Sequence, residues 1–175
     1  FKLLIGALAA AAVLAGPVAA KTLRWASQGD ILTFDPMSQN ESLNNTFSDY
    51  VYDGLVRYNK QFVPEPALAT SWTRVDPVTW RFVLRRNVTF HDGAPFTAQD
   101  LVFSYQVAGP DGVPNPLAAT LKLMDSVEAA DHHLFVVYYK RPYHQGADLG
   151  TPEFWPLPRH LLQSAYDRFV ATKNA

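Results

Sequence analysis

The chain of 175 residues is close to electrical neutrality, with 15 Lys and Arg against 16 Asp and Glu, and it contains no cysteine. A near-neutral chain without a basic stretch is not expected to bind nucleic acid. The absence of cysteine from this sequence excludes disulfides, a thiol nucleophile and a lipid-bearing cysteine.

Residues 1–20 have the pattern of a secretory signal peptide. Their uninterrupted run of apolar and small residues, Leu3 to Ala15, is shorter than the roughly 20 residues that span a bilayer. The small residues Val18, Ala19 and Ala20 form the predicted cleavage site. We therefore expect export from a bacterial cell and a mature protein that is free in the periplasm.

The mature segment is predicted to begin with a strand and a long loop. In KTLRWAS, Leu23 and Trp25 alternate with polar residues, which predicts a strand with one buried face. The polar loop that follows contains Asp35-Pro36, and loops of this length in compact domains are often functional.

A helix is predicted from Leu43 onwards, with Ser42 or Asn44 as its cap. The apolar residues at helical spacing are Phe47, Tyr50, Val51 and Leu55. After this helix, YNKQFVPEP predicts a tight turn and PALATSW a short helical piece.

The middle of the chain is predicted to form antiparallel hairpins. In TWRFVLR, the alternation predicts a strand with Trp80, Phe82 and Leu84 on one face. The segment LAATLKLM is expected to be helical, and DSVEAADHHLFVVYYK predicts two strands joined between Ala130 and His133. The tail PLPRHLLQSAYDRFV predicts a final helix. The result is a mixed α/β chain.

The stretch TFHDGAPFTAQDLVFSY places His91 directly before Asp92 and admits two interpretations. A catalytic interpretation makes His91 a general base oriented by Asp92, but neighbouring side chains in an extended segment point to opposite faces. A structural interpretation makes Asp92-Gly93 a turn. It also predicts a helix capped by Thr97, with Asp100 completing a capping box. The structural interpretation explains more of these residues.

No other histidine pattern indicates a catalytic or metal site. The adjacent His132 and His133 lack the spacing of about three to five residues that is typical of zinc ligands. The remaining two, His144 and His160, are isolated in the sequence. The sequence also has no Gly-rich phosphate loop, nucleophile elbow or zinc-protease helix. We therefore predict no metal, no cofactor and no catalytic residue.

The remaining candidate site residues are serines, as possible nucleophiles, and aromatic residues in loops, as possible ligand contacts. A serine nucleophile has little support, because Ser71 and Ser104 lie in segments whose neighbours are predicted to pack. Aromatic residues in the polar loops, such as Phe34 and Trp155, are candidates to line a ligand pocket.

A series of short motifs occurs in a fixed order along the chain. The motifs are Asp53-Gly54-Leu55, Leu68-Ala69, Ser71-Trp72, Trp80-x-Phe82-x-Leu84-Arg85, Phe90-His91-Asp92-Gly93, Thr97-Ala98-x-Asp100 and Phe103-Ser104. In this order they closely resemble the extracellular solute-binding proteins of family 5, the oligopeptide, dipeptide and nickel binders of ABC transporters. The resemblance covers nearly all of the mature segment. Asn87 stands where the family usually has glycine, and asparagine tolerates the same left-handed backbone.

The resemblance implies a periplasmic-binding-protein-like, bilobal α/β fold with an extra small mixed α/β domain, of which this chain would be the N-terminal part. It places the start of the large lobe, with the first strand, the ligand-side loop and a helix, at residues 21–52. The extra small domain would occupy residues 53–158. Residues 159–175 would be the return to the large lobe, truncated.

The resemblance also implies where a ligand binds. In oligopeptide binders the loop after the Asp-Pro pair offers main-chain groups to the peptide, an arrangement akin to strand addition. Here that loop carries Asn40, Glu41 and Ser42, and a further contact from the small domain falls on Leu117. Family members bind peptides, sugars, opines, glutathione or metal chelates.

The implied function is that of the substrate-binding component of an ABC importer. It would capture a peptide or similar small solute and deliver it to a permease in the inner membrane, as a monomer and without enzymatic activity. Two alternatives are open: a secreted hydrolase that uses His91 and Asp92, and a truncated, non-functional fragment with exposed hydrophobic surfaces.

Overall fold

A computed structural model describes residues 26, 29–38, 41–114, 119–151 and 154–173. The predicted signal peptide, and the predicted first strand apart from Ala26, lie outside the described residues. The helices are α1 (Ser42–Val51), α2 (Ala98–Ala108) and α3 (Arg159–Lys173). The strands are β1 (Val56–Tyr58), β2 (Pro64–Pro66), β3 (Ala69–Arg74), β4 (Thr79–Leu84), β5 (Met124–Asp131) and β6 (Leu134–Tyr139).

A four-stranded antiparallel sheet with the strand order β3-β4-β6-β5 organises this fold. In β4, Phe82 and Leu84 are buried while Arg81 and Val83 are exposed, so the predicted alternation is confirmed. The hairpin between β5 and β6 is also confirmed. A separate antiparallel pair, β1 and β2, forms the hairpin that was predicted as a tight turn.

The core lies between this sheet, helix α2 and the segment that precedes α3. Phe82, Phe135 and Phe154 are almost completely buried, and the rings of Phe135 and Phe154 stack with 5.9 Å between centroids. Leu101 of α2 is also fully buried. Because burying one such side chain contributes roughly 1.5–3 kcal/mol, the core holds the segment before α3 against the sheet.

The structure contradicts two helical predictions. In PALATSW, Ala69 begins β3 and pairs with Leu84, and its N–H donates to the carbonyl of Leu55. Distant strand pairing therefore overrides the local helix preference of Ala and Leu. In LAATLKLM, the described residues form only a 3₁₀ turn at Leu121–Leu123, followed directly by β5.

Helix α1 is confirmed, but its cap and its buried face differ from the prediction. Glu41 is the N-cap, and its carboxylate accepts a hydrogen bond from the N–H of Asn44 at 3.2 Å. The buried residues of α1 are the polar Asn44 and Ser48, whereas Tyr50 is 81% exposed. Of the predicted apolar set, Leu55 is buried and Phe47 and Val51 are half-buried, so the prediction is wrong for Tyr50 and missed the polar Asn44 and Ser48.

Helix α3 is confirmed and begins directly after Pro158. The carbonyl of Pro158 accepts hydrogen bonds from the N–H groups of Leu161 and Leu162. No residue of α3 is buried, and Leu161 is 61% exposed. Within the described residues, no helix combines the length and the apolar character needed to cross a membrane.

Gly54, from the Asp53-Gly54-Leu55 motif, permits a close approach of two backbone segments. A Cβ atom at Gly54 would lie 2.8 Å from the Cα atom of Gly150. The neighbouring Leu55 N–H donates to the carbonyl of Leu149 at 2.9 Å. The glycine is therefore needed so that the start of β1 can bond to the segment that leads back towards α3.

We expect Gly146→Ala to lower the free energy of unfolding by about 1–3 kcal/mol, the usual cost of overpacking. A Cβ atom at Gly146 would lie 2.3 Å from Nε1 of Trp80, so the indole must move. Urea titration of both proteins measures the change. As a control, the same substitution in a Trp80→Ala background should cost much less, because all of the clashing ring atoms are gone. Equal costs in both backgrounds would contradict this explanation.

Candidate functional site

The stretch around His91 forms a turn, as the structural interpretation predicts. Phe90 N–H donates to the carbonyl of Ala94 at 2.8 Å, and the Oδ1 atom of Asp92 accepts from Ala94 N–H at 3.1 Å. Gly93 has a φ of 89°, and Asn87, which precedes this turn, has a φ of 59°. The left-handed backbone expected at Asn87 is therefore confirmed.

Asp92 makes a hydrogen bond with His160, not with His91. The Nε2 atom of His160 lies 2.6 Å from Oδ2 of Asp92, and both side chains are partly exposed. The His160 ring also contacts Phe90, with 5.5 Å between ring centroids. The hydrogen bond from His160, followed by that from the backbone of Ala94, lowers the pKa of Asp92. The dyad of the hydrolase hypothesis is therefore not formed.

Asp100 has two structural roles at the start of α2. It is buried, and its Oδ2 atom accepts hydrogen bonds from both the N–H and the hydroxyl of Thr97, at 2.9 and 3.0 Å. The predicted interaction of Asp100 with the capping residue is thus confirmed. The other carboxylate oxygen, Oδ1, accepts from the N–H of Arg159 at 3.2 Å, which connects α2 to the first residue of α3.

Ser104 is fully buried, and its hydroxyl both donates and accepts a hydrogen bond. Its hydroxyl donates to the carbonyl of Asp100 at 2.8 Å and accepts from the N–H of Leu157 at 2.7 Å. With its oxygen satisfied in this way and shielded from solvent, Ser104 has a structural role and is not placed to act as a nucleophile.

Three side chains of the TFHDGAPFTAQDLVFSY stretch therefore make hydrogen bonds to residues 157–160, a segment that is distant in sequence. Asp92 bonds to His160, Asp100 to Arg159 and Ser104 to Leu157. We call these three contacts the polar clasp. Sequence analysis missed it because the partners of these side chains lie 53 to 68 residues away.

A cavity of about 740 Å³ lies beside the polar clasp. Its wall is mainly apolar and includes five titratable side chains, those of Asp35, Tyr52, Asp53, His91 and Asp92. The complete lining consists of Asp35, Pro36, Met37, Val51, Tyr52, Asp53, Leu68, Val88, Thr89, Phe90, His91, Asp92, Phe96, Val107, Val113, Pro156, Leu157, Pro158, Leu161 and Leu162. A mainly apolar wall with a few polar groups is typical of small-molecule sites.

The loop before α1 is held in place by two side chains of the helical segment. The amide of Asn44 accepts from the N–H of Leu32 at 3.1 Å and donates to the carbonyl of Thr33 at 2.8 Å. The hydroxyl of Tyr52 donates to the carbonyl of Phe34 at 2.8 Å. Burial, and secondarily the nearby Asp35, raises the pKa of Tyr52. These positioning roles of Asn44 and Tyr52 were not predicted.

The predicted ligand-binding residues are only partly within the described structure. Asn40 and Leu117 lie outside the described residues. Glu41 caps α1 through its side chain, and Ser42 is the first residue of that helix. Both are exposed to solvent, and the cavity-lining Met37 precedes them in the same loop.

The other candidate residues do not form a reactive site. Of the loop aromatics, Trp155 is buried, with its ring edge against Tyr52, and Phe34 is half exposed. Neither belongs to the cavity lining. Across the part of the chain that the structure describes, no group of three or more His, Asp or Glu side chains is arranged to hold a metal ion.

Comparison with known proteins gives a consistent picture. A family model described as "Bacterial extracellular solute-binding proteins, family 5 Middle" matches residues 63–174. The periplasmic oligopeptide-binding protein OppA of Salmonella typhimurium is 25% identical over 163 residues, which cover 83% of this chain and 30% of that protein. The glutathione-binding protein GsiB of Pectobacterium atrosepticum is 31% identical over 145 residues, which cover 80% of this chain and 28% of GsiB.

A solved structure extends the comparison to the fold. The crystal structure of Haemophilus influenzae OppA in complex with RPPGFSPFR matches with a TM-score of 0.69 at 25% identity. The match covers 79% of this chain and 31% of that chain. The periplasmic-binding-protein fold expected from the resemblance is therefore confirmed. The chain spans less than a third of the length of these relatives.

We expect Ser104→Ala to lower the free energy of unfolding by about 1–3 kcal/mol, because the buried N–H of Leu157 loses its acceptor. Ser71→Ala is the matched control. Ser71 is exposed on β3, so its loss should change stability by no more than about 0.5 kcal/mol. Urea titration compares the three proteins, and equal effects of the two substitutions would contradict the role of Ser104 in the polar clasp.

We expect His160→Phe to raise the pKa of Asp92 towards its ordinary value of 3.8, because the main cause of the lowering is removed. The phenyl ring retains the aromatic contact with Phe90. NMR titration of the carboxyl carbons measures this change. Asp76 is the internal control: its pKa is lowered mainly by bonds within its own turn, from Val78 and Thr79, and should not change.

The sign of the pH dependence follows from the direction of that shift. A carboxyl whose pKa is lowered in the folded state stabilises the fold above its unfolded pKa, and the contribution disappears as the pH falls through the folded pKa. The stability difference between the wild type and His160→Phe should therefore narrow as the pH falls below 3.8. A difference that is constant or grows in that range would contradict the Asp92–His160 interaction.

Proposed function

Because the chain belongs to family 5 of the bacterial extracellular solute-binding proteins, we propose that it is part of the solute-binding component of an ABC importer. In this role the protein captures a peptide in the periplasm and delivers it to a membrane permease. The observation that carries the proposal is the family match over residues 63–174, together with a fold shared with an OppA structure that contains a bound peptide.

The proposed organisation follows the family resemblance. Residues 21–52 begin the large lobe, residues 53–158 form the extra small domain, and residues 159–175 return to the large lobe. In support of this division, the four-stranded sheet and α2 fall within the middle range, and α3 begins where the third range begins. The polar clasp would then connect the small domain to the returning segment.

The proposed ligand contacts are the main-chain groups of Asn40, Glu41 and Ser42, with a further contact from Leu117 of the small domain. The arrangement of the described residues supports this assignment. Cavity-lining residues precede both segments: Met37 comes shortly before Asn40, and Val113 shortly before Leu117. The loop that leads to Asn40 is held by Asn44 and Tyr52, so its main-chain groups would be positioned before ligand arrives.

We propose binding without covalent change of the solute. Asp92 is engaged by His160, and Ser104 is buried with its oxygen satisfied, so the candidate nucleophile and the candidate acid–base pair both have structural partners. No observation favours the hydrolase hypothesis.

The solute can be identified directly. The protein that carries this chain should be purified without denaturation and its bound molecules released and analysed by mass spectrometry. The expected result is one or a few peptides in stoichiometric amount. Glutathione, the ligand in the name of one relative, is the main alternative solute. Turnover of the released solute by the purified protein at a catalytic rate would contradict a transport role.

The contribution of the Ser42 main chain is testable with one substitution. Ser42 is the first helical residue after the Glu41 cap, a position where proline is tolerated, and Glu41 already has the extended backbone that a following proline requires. We expect Ser42→Pro to weaken solute binding about tenfold, because it removes one main-chain donor and leaves the helix intact.

Ser42→Ala is the matched control, since it removes the hydroxyl and retains the N–H group. Calorimetric titration with the solute identified by mass spectrometry compares the two variants in the protein that carries this chain. If both variants bind as tightly as the wild type, the N–H of Ser42 is not a ligand contact.

A further inference from the structure

Tyr52 holds the loop before α1 closer to the proposed ligand contacts than Asn44 does. The amide of Asn44 bonds to the loop at Leu32 and Thr33, whereas the hydroxyl of Tyr52 donates to the carbonyl of Phe34, farther along the chain. The direction in which the chain continues towards the proposed ligand contacts therefore depends on where the Tyr52 side chain lies.

The Tyr52 side chain is in turn held by Trp155. Their rings meet edge to face, with 5.4 Å between centroids and 72° between planes, which is a favoured geometry for an aromatic pair. Tyr52 is only half-buried and lines the cavity, whereas Trp155 is 2% exposed. A side chain that borders open space can change rotamer unless a fixed neighbour holds it. Trp155 is such a neighbour.

Trp155 is fixed by the residues on either side of it in the chain. Phe154 stacks on Phe135 of β6, with 5.9 Å between ring centroids. Two residues after Trp155, the N–H of Leu157 donates to the hydroxyl of Ser104 in the polar clasp. The backbone that carries Trp155 is therefore attached to the sheet before it and to α2 after it.

We infer that Trp155 is a positioning residue for solute binding. It holds Tyr52 where the hydroxyl reaches the carbonyl of Phe34, and in this way it sets the position of the loop before α1. This inference rests on the proposed function, in which main-chain groups farther along that loop meet the solute. Trp155 does not belong to the cavity wall, so its effect on the solute is indirect. A loop that is ordered beforehand binds more tightly, because less freedom is lost on binding.

Hydrogen exchange of the backbone amides of residues 33–38 tests the inference. It is measured by mass spectrometry, from milliseconds to minutes, on the protein that carries this chain after its solute has been removed. Trp155→Leu removes the aromatic contact, and we expect exchange in this segment to become about fivefold faster, as the loss of one aromatic pair implies. Tyr52→Phe removes only the hydroxyl bond and should have an effect of about the same size.

The two substitutions together decide whether Trp155 acts through Tyr52. If it does, Trp155→Leu should accelerate exchange by no more than about twofold in a Tyr52→Phe background, because the bond that Trp155 maintains is already gone. Effects that multiply in full would make Trp155 a general packing residue and would overturn the inference. Unchanged exchange in Trp155→Leu would overturn it as well.

Phe82→Leu is the matched control for the loss of a buried ring. Phe82 is completely buried, but its ring pairs with Phe135 within the sheet, with 6.4 Å between centroids. Exchange of residues 33–38 should therefore be unchanged in this variant, at a temperature at which all the variants are folded. If Phe82→Leu accelerates it as much as Trp155→Leu does, the loop responds to any loss of core packing and the inference is wrong.

A milder variant covers the case in which Trp155→Leu does not fold. Trp155→Phe carries the same test with an expected acceleration of about twofold, because the shorter ring meets Tyr52 less closely. The exchange measurement requires no solute, so its result does not depend on whether the loop binds one. A failure of the proposed ligand contacts is seen separately, in the titration of Ser42→Pro.

Discussion

The rest of the described structure depends on the attachment of residues 157–160 to helix α2. The two buried members of the polar clasp, Asp100 and Ser104, find partners at Arg159 and Leu157. A buried main-chain N–H without a partner is costly, so the segment before α3 depends on these two acceptors, although more than 50 residues separate it from them. Asp100 and Ser104 also bond within the start of α2, which holds both acceptors in place.

Contacts outside the polar clasp help to position α3, a helix that has no buried residue. Farther along α3, the hydroxyl of Tyr166 donates to the carbonyl of Gln106, and Lys173 donates to the carbonyl of Asp111. The ring of Tyr166 also packs edge-to-face on the buried Phe103, so these hydrogen bonds and one aromatic contact together fix where α3 lies beside α2. This leaves the apolar side chains of Leu161 and Leu162 available to line the cavity. The cavity wall thus depends on hydrogen bonds made elsewhere on the same helix.

Features that depend on near neighbours could be predicted from the sequence, and features that depend on distant partners could not. The strand around Phe82 and the interaction of Thr97 with Asp100 involve residues a few positions apart, and both are confirmed. The strand at Ala69 requires Leu84, and the pairing of Asp92 requires His160. Neither partner is marked by any local pattern. The proposed main-chain contacts were suggested by family resemblance alone, because a backbone donor leaves no trace in residue type.

Residues that suggest chemistry can instead serve to hold a binding site in shape. A solute-binding protein gains affinity when the groups that meet the ligand are positioned beforehand, since ordering them on binding costs free energy. In the proposed function those groups belong to the main chain, so the side chains must supply the positioning. Asn44 and Tyr52 do this for the loop before α1, and the polar clasp does it for the cavity wall. Asp92 thus belongs to the supporting structure, and the proposed function assigns ligand recognition to the loop that Asn44 and Tyr52 hold.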